Sequence, residues 1–311
     1  MSILIAADFT ADEWAEWLPA LSRALPNETL LRERGSAAPE SIDIAIVANP
    51  PAGALAGLPN LQLVQSLWAG VERLLADPTL PTDVPLARMV DPAMNEAMAE
   101  TALWAVLSLQ RDFFDYAQHQ REARWSPQGQ QAAGDVAVTV LGLGQMGRTV
   151  ALRLARNGYR VTGWSTRPAS IPGVHTLAGD AALPVALADA QVLVNLVPLT
   201  PATRGLIDAR LLALLPRGAS VVNLARGAHV VEADLLTALA SGHIRHAVLD
   251  VFAAEPLPAA HPFWAHAQVT VLPHVAAQTD ARSAATLVAA NILALRAGRP
   301  LQHLVDRSRA Y

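Results

Sequence analysis

Three segments of the chain place a polar residue just where an apolar run stops. Arg226 follows SVVNLA, Glu255 lies five residues beyond Asp250 at the end of RHAVLD, and His274 follows QVTVLP. A guanidinium grips a carboxylate bidentately, and an imidazolium protonates a carbonyl oxygen as hydride reaches its carbon. A carboxylate behind the imidazole holds the ring in place and favours its charged form. An Arg, a Glu and a His placed in this way form a coherent set for reducing a 2-oxo acid. Taken singly, each has an ordinary explanation: a loop cap for Arg226, a surface residue before Pro256 for Glu255, a satisfied histidine beside Pro273 for His274.

The hydride has an expected source in VAVTVLGLGQMGRTVALRLARNGYRVTGW. Here Gly142, Gly144 and Gly147, with Gln145 and Met146 between them, stand between a strand pattern and an amphipathic helix pattern. Gly142 permits the tight turn, Gly144 lets the backbone approach a pyrophosphate, and Gly147 lets helix and strand pack closely. The opening of the helix then offers free N–H groups and a positive dipole to phosphates. About 20 residues after such a loop an acid usually holds the adenosine ribose. This chain has Ser165, Thr166 and Arg167 there, two hydroxyls and a guanidinium that suit a 2′-phosphate. The reading is NADPH as the preferred cofactor, with NADH possible.

Parallel α/β architecture must hold these residues, because open sheets bind ligands outside their strand C-termini. The 311 residues suggest two domains. SILIAA, IDIAIVA (42–48), LQLVQS (61–66) and PLARMV (85–90) are strand candidates, and Thr10 and Glu13 have capping-box spacing ahead of a helix. A helical stretch over 95–124 follows, then a Gly/Gln/Pro-rich loop. Six further strand candidates, VAVTVLG, RVTGW, QVLVNLV, ASVVNLA, RHAVLDV and QVTVLP, fit a doubly wound sheet. A last helix, about 278–298, has no place in that sheet and could return to the first unit.

With a net charge of −4 and no Lys/Arg block, nucleic acid is not an expected partner. No run reaches the roughly 18 apolar residues that span a bilayer, and MSILIAAD reads as a buried strand and not a signal peptide. The absence of cysteine excludes disulfides and thiol chemistry. A soluble, cytoplasmic protein is expected. His243 with His246, and His261 with His266, lack a third metal-ligand candidate at convincing spacing and read as surface histidines. Trp14, Trp17 and Trp104 fit apolar helix faces, where packing is the expected role.

VNLARG (222–227), LDVFAAEPLP (249–258) and VTVLPHVAA (269–277) resemble the signature segments of the D-isomer-specific 2-hydroxyacid dehydrogenases. VQSLWAGVE (64–72) is similar to that family's substrate-carboxylate loop, and MNEAMAE (94–100) to the start of its interdomain helix. GWSTRP and the closing VDRSRAY resemble the glyoxylate/hydroxypyruvate reductase branch. The resemblance implies two Rossmann-like domains with doubly wound parallel sheets. It implies a discontinuous, flavodoxin-like substrate domain (1–98 and 285–311) and a dinucleotide-binding domain (99–284) with a dimerisation helix near 100–120.

The same resemblance implies Arg226 as substrate binder and polariser, His274 as proton donor and Glu255 as its partner. It implies backbone N–H groups of Ala69 and Gly70 on the substrate carboxylate, beside Trp68, which stands where the wider family often has a small residue. Val197, Pro198, Leu224 and Ala225 are implied cofactor contacts, with Asp250 near the nicotinamide carboxamide. A small 2-oxo acid and a second copy of the chain are the implied partners, with no metal. Two alternatives stay open at this point: an NAD-dependent dehydrogenase of a bulkier 2-hydroxy acid, and a non-catalytic dinucleotide sensor. Arg167→Ala tests the cofactor reading. It should weaken NADPH binding at least about tenfold, the worth of a charge-assisted contact, and leave NADH binding unchanged in a fluorescence titration.

Overall fold

In the computed structural model, residues 1–307 are described, and they form two compact units. The final residues of the VDRSRAY segment, 308–311, lie outside the described residues. The first unit comprises, among the described residues, Met1–Ala93 together with residues 279–307. Its strands are β1 (Ser2–Ala7), β2 (Thr29–Leu31), β3 (Ile42–Ala48), β4 (Leu63–Ser66) and β5 (Leu86–Ala87), all parallel in the order β2-β1-β3-β4-β5. Every residue of β3 is buried, the signature of a parallel strand covered on both faces.

Helix α1 (Ala11–Ala24) starts at the expected capping box: Glu13 N–H donates to Thr10 Oγ1 (3.3 Å) and Thr10 N–H to Glu13 Oε2 (2.8 Å). A single turn, α2 (Glu72–Leu75), follows β4.

The chain then runs through α3 (Pro92–Gln110) and α4 (Phe113–Arg121) into the second unit, Met94–Gln278. One helix over 95–124 was expected, and the structure breaks it at Asp112, whose φ is +56°. Aspartate tolerates this left-handed conformation better than most residues. Here its carboxylate accepts from Arg245 Nη1 (2.5 Å), and the same guanidinium bonds the Leu109 carbonyl at the end of α3. The break is thus a tertiary effect of an arginine 133 positions away.

Seven parallel strands form the second sheet: β6 (Ala137–Leu141), β7 (Arg160–Ser165), β8 (His175–Ala178), β9 (Val192–Asn195), β10 (Ala219–Asn223), β11 (Ile244–Leu249) and β12 (Val269–Val271). Their order is β12-β11-β10-β9-β6-β7-β8. The chain winds one way from β6 to β8 and the other way from β9 to β12, so the switch point lies between β6 and β9. Six strands were expected; β8, a short half-exposed edge strand after a Pro/Gly-rich stretch, is the addition. Val138, Val140, Val192, Val194, Val222 and Val248 face one core with α3 and α5 (Gln145–Arg156). Leu141, Leu193, Val221, Ala247 and Leu249 face the other, with α6 (Leu183–Leu187), α7 (Ala209–Ala213) and α8 (Glu232–Ala240). This alternation is the period of two of strands buried on both faces.

The last helix, α9 (Ala281–Arg296), packs on α1 in the first unit. Its Arg296 guanidinium pairs with Glu28 (2.9 Å) and with the buried Asp43 at the start of β3. Among the described residues no helix is long and apolar enough to cross a membrane.

His246 is not the surface histidine expected from its spacing. It is 5% exposed, stacks on Phe114 with ring centroids 4.6 Å apart, and bonds Thr270 Oγ1 (2.9 Å). Burial, reinforced by the nearby Arg245 and His266, pushes its pKa down from 6.5 to about 4. Between those two values the unfolded chain takes up a proton that the folded protein refuses, so stability falls as pH drops through that window. The loss should reach on the order of 3 kcal/mol. Urea unfolding midpoints should decline from pH 7 to pH 4, and decline less in His246→Gln.

Candidate functional site

All seven strands of the second sheet end on one edge, and the expected dinucleotide and catalytic residues of that unit lie at those ends or in the loops that follow them. After β6, Gly142 adopts φ +91°, which favours glycine, and a Cβ on it would lie 2.7 Å from the Leu196 carbonyl and from the Val197 nitrogen. A Cβ on Gly147 would lie 1.7 Å from the Gly142 carbonyl oxygen. Gly144 differs: it caps α5 without any side-chain hydrogen bond, and a Cβ there would meet nothing within 4 Å. A crowded glycine on each side of an open one, at an uncapped helix start, is a cradle that a pyrophosphate fits.

At the end of β7, Ser165 donates from Oγ to the Arg167 carbonyl (2.7 Å), which closes a small turn. Thr166 and Arg167 are exposed, and the Arg167 guanidinium makes no hydrogen bond or ion pair among the described residues. No carboxylate stands in this turn.

β9 and β10 each end in a fully buried asparagine, Asn195 and Asn223, neither of which was singled out from the sequence. Asn195 donates to Asn223 Oδ1 (2.9 Å), and Asn223 donates to the Arg226 carbonyl (2.9 Å). The signal was available: two apolar strand runs, VLVN and SVVN, close on the same amide. The Leu224 N–H returns to the Asn195 carbonyl (3.3 Å), which keeps Leu224 and Ala225 against β9. Arg226 begins the turn Gly227–His229, and its Nη1 donates to the Ala225 carbonyl (2.6 Å). Gly227 is pressed onto the backbone of Phe252, where a Cβ would lie 1.8 Å from the carbonyl carbon.

The catalytic candidates His274 and Glu255 do meet. His274 Nδ1 lies 2.7 Å from Glu255 Oε2, and Glu255 Oε1 accepts from the Phe252 N–H (2.8 Å). The other ring nitrogen of His274, Nε2, has no partner among the described residues, and the side chain is half exposed. His274 itself has φ +58°. Its N–H donates to the Asp250 carbonyl (2.9 Å), and the Asp250 carboxylate accepts from Val275 N–H (2.8 Å) and Ala276 N–H (3.1 Å). Asp250 is 1% exposed, and burial raises its pKa against those two amides. Its carboxylate therefore anchors the His274 loop.

The first unit carries its own candidate segment after β4. Ser66 Oγ accepts from the Trp68 N–H (3.0 Å) and lies 3.1 Å from the Trp68 carbonyl, which tightens the turn. The N–H groups of Ala69 and Gly70 donate to no acceptor among the described residues. The Trp68 ring meets Trp17 edge-on (5.7 Å) and Phe9 (6.3 Å), with its Nε1 buried and without a partner among the described residues. No group of three or more potential metal ligands gathers among the described residues.

Residues 103–276 match the family model described as D-isomer specific 2-hydroxyacid dehydrogenase, NAD binding domain. The chain is 42% identical to a glyoxylate/hydroxypyruvate reductase A of Serratia proteamaculans, over 94% of each protein. It is also similar to a solved D-isomer specific 2-hydroxyacid dehydrogenase from Xanthobacter autotrophicus in complex with NADPH and MES. That match has 43% identity and a TM-score of 0.94, and covers 100% of this chain and 99% of the other. An NADPH-dependent glyoxylate/hydroxypyruvate reductase from Sinorhizobium meliloti, in complex with NADP and sulfate, matches at 35% identity with a TM-score of 0.93 over 100% of both chains.

The glycine geometry separates two substitutions. Gly144→Ala should leave the melting temperature unchanged and weaken dinucleotide binding about tenfold or more, because its methyl enters the space meant for the ligand. Gly147→Ala has no room for a methyl and should cost several kcal/mol of stability, read from the denaturant midpoint.

Proposed function

Because the chain belongs to the D-isomer specific 2-hydroxyacid dehydrogenase family, we propose that this oxidoreductase reduces small 2-oxo acids, glyoxylate and hydroxypyruvate, to 2-hydroxy acids with NADPH. The observation that carries the reading is the His274–Glu255 pair, with a partnered Nδ1 and an unpartnered Nε2. A histidine held in this way releases its Nε2 proton and keeps the one on Nδ1, which it donates as a hydrogen bond to the carboxylate. Bound NADPH supplies the hydride that reaches the carbonyl carbon. His274 gives the proton to the carbonyl oxygen, so the 2-oxo acid becomes the 2-hydroxy acid and His274 leaves the step neutral. Arg226 polarises the carbonyl and binds the acid, and the amides of Ala69 and Gly70 take the carboxylate.

The choice of NADPH over NADH is supported by Ser165, Thr166 and Arg167 in place of an acid, and by the NADPH and NADP carried by the Xanthobacter and Sinorhizobium relatives. Val197, Pro198, Leu224 and Ala225 complete the proposed cofactor contacts. We further propose a homodimer, supported by the exposed Trp104 and Leu107 of α3 and Phe113 of α4. A cytoplasmic location fits the reaction.

Initial rates with NADPH and NADH against glyoxylate, hydroxypyruvate, pyruvate and phenylpyruvate test the assignment. The two small acids with NADPH should be fastest, and a strong NADH preference would refute the phosphate-site reading. His274→Gln should lower kcat by about 100-fold to 10,000-fold, the usual worth of a general acid. Glu255→Gln, which takes the carboxylate from His274 Nδ1, should also lower kcat in the same assay, by less than His274→Gln.

A further inference from the structure

His229 has no part in the chemistry above, yet it is completely buried beside Arg226. Its ring spans two main-chain carbonyls on neighbouring strand ends. Nδ1 lies 3.0 Å from the Arg226 carbonyl, and Nε2 lies 3.4 Å from the Pro198 carbonyl, on the segment that leaves β9. The Arg226 carbonyl also accepts from Asn223 Nδ2 (2.9 Å) and from the His229 N–H (3.2 Å), and the Pro198 carbonyl from Thr203 Oγ1 (2.7 Å).

The turn between Arg226 and His229 cannot shift toward Phe252, because Gly227 is already in backbone contact there. One imidazole therefore joins the turn that carries the substrate guanidinium to the segment proposed to contact the cofactor.

We infer that His229 is a positioning residue: Nδ1–H donates to the Arg226 carbonyl and aims the guanidinium. This rests on the proposed role of Arg226. An asparagine amide nitrogen falls near the position of an imidazole Nδ1, and a glutamine amide nitrogen near that of Nε2, so the two substitutions tell the ring nitrogens apart.

The experiment compares His229→Leu, His229→Asn and His229→Gln with the parent, reading KM for glyoxylate and kcat. The leucine variant keeps the Asn223 and main-chain donors to the Arg226 carbonyl and loses only the ring donor, so KM should rise by about threefold to tenfold, the worth of one net hydrogen bond, with a smaller effect on kcat. Asparagine should bring KM back to within about threefold of the parent, and glutamine, whose amide lies at the Nε2 position, should not. Asparagine and glutamine variants with the same KM would overturn the inference while leaving the reductase reading intact. An inactive parent enzyme would overturn both. A measurement on the unaltered protein guards against variants that do not fold. In the histidine 15N spectrum, the ring with contacts to Arg226 and Pro198 should carry hydrogen on Nδ1, and a bare Nδ1 there would overturn the inference.

Discussion

Three contacts between backbones, each at a place where a side chain would ordinarily intervene, hold the catalytic edge of the second unit together. Gly142 meets Leu196 and Val197, Gly147 meets the Gly142 carbonyl, and Gly227 meets Phe252. Each contact joins the loops at neighbouring strand ends or the start of a helix to its own loop. A Cβ at any of them would lie inside the van der Waals radius of a main-chain atom, and main chain in a closely packed sheet has little freedom to give way. Between Gly142 and Gly147, Gly144 stays open, with nothing within 4 Å of where its Cβ would lie.

Buried polar groups do the next part of the positioning. A carboxylate or carboxamide removed from water must find partners within the protein, so Asn195, Asn223 and Asp250 each become a fixed node for loop backbone. Asn223 holds the Arg226 carbonyl, and Asp250 holds the amides of Val275 and Ala276, which leaves His274 in its left-handed conformation. Glu255 completes the set: one oxygen takes a main-chain amide and the other takes the imidazole. The half-exposed His274 and Glu255 thus borrow their geometry from groups with almost no exposure of their own, a division that leaves the proposed reacting atoms accessible and their supports buried.

Much of this was legible before any coordinates. Apolar runs that end in Arg226 and His274, the glycine spacing and the missing acid at Ser165 are local features, and local features report strand ends, tight turns and ligand chemistry. The capping box at Thr10 and Glu13 is of the same kind. The misread features share a different character. The break at Asp112 depends on Arg245, and the burial of His246 depends on Phe114 and on Thr270 of the neighbouring strand. No window around Asp112 or His246 contains those partners. The edge strand β8 was missed because three of its four residues are half-buried and the fourth is exposed, which leaves it without the continuous apolar run of the central strands.

By itself the sequence determined the types of the elements, the family and the list of chemical groups, because hydrophobic period, glycine placement and residue chemistry are written position by position. The tertiary structure alone decided which of those groups share an atom-to-atom contact. Glu255 and His274 are nineteen positions apart, and Asp43 and Arg296 are 253 apart. Their contacts exist because parallel strands set β11 beside β12, and because α9 folds back onto the first unit. His229 shows the difference most directly. In the chain it is one more histidine three residues after Arg226, and only the order β10-β9 brings the Pro198 carbonyl to its other nitrogen.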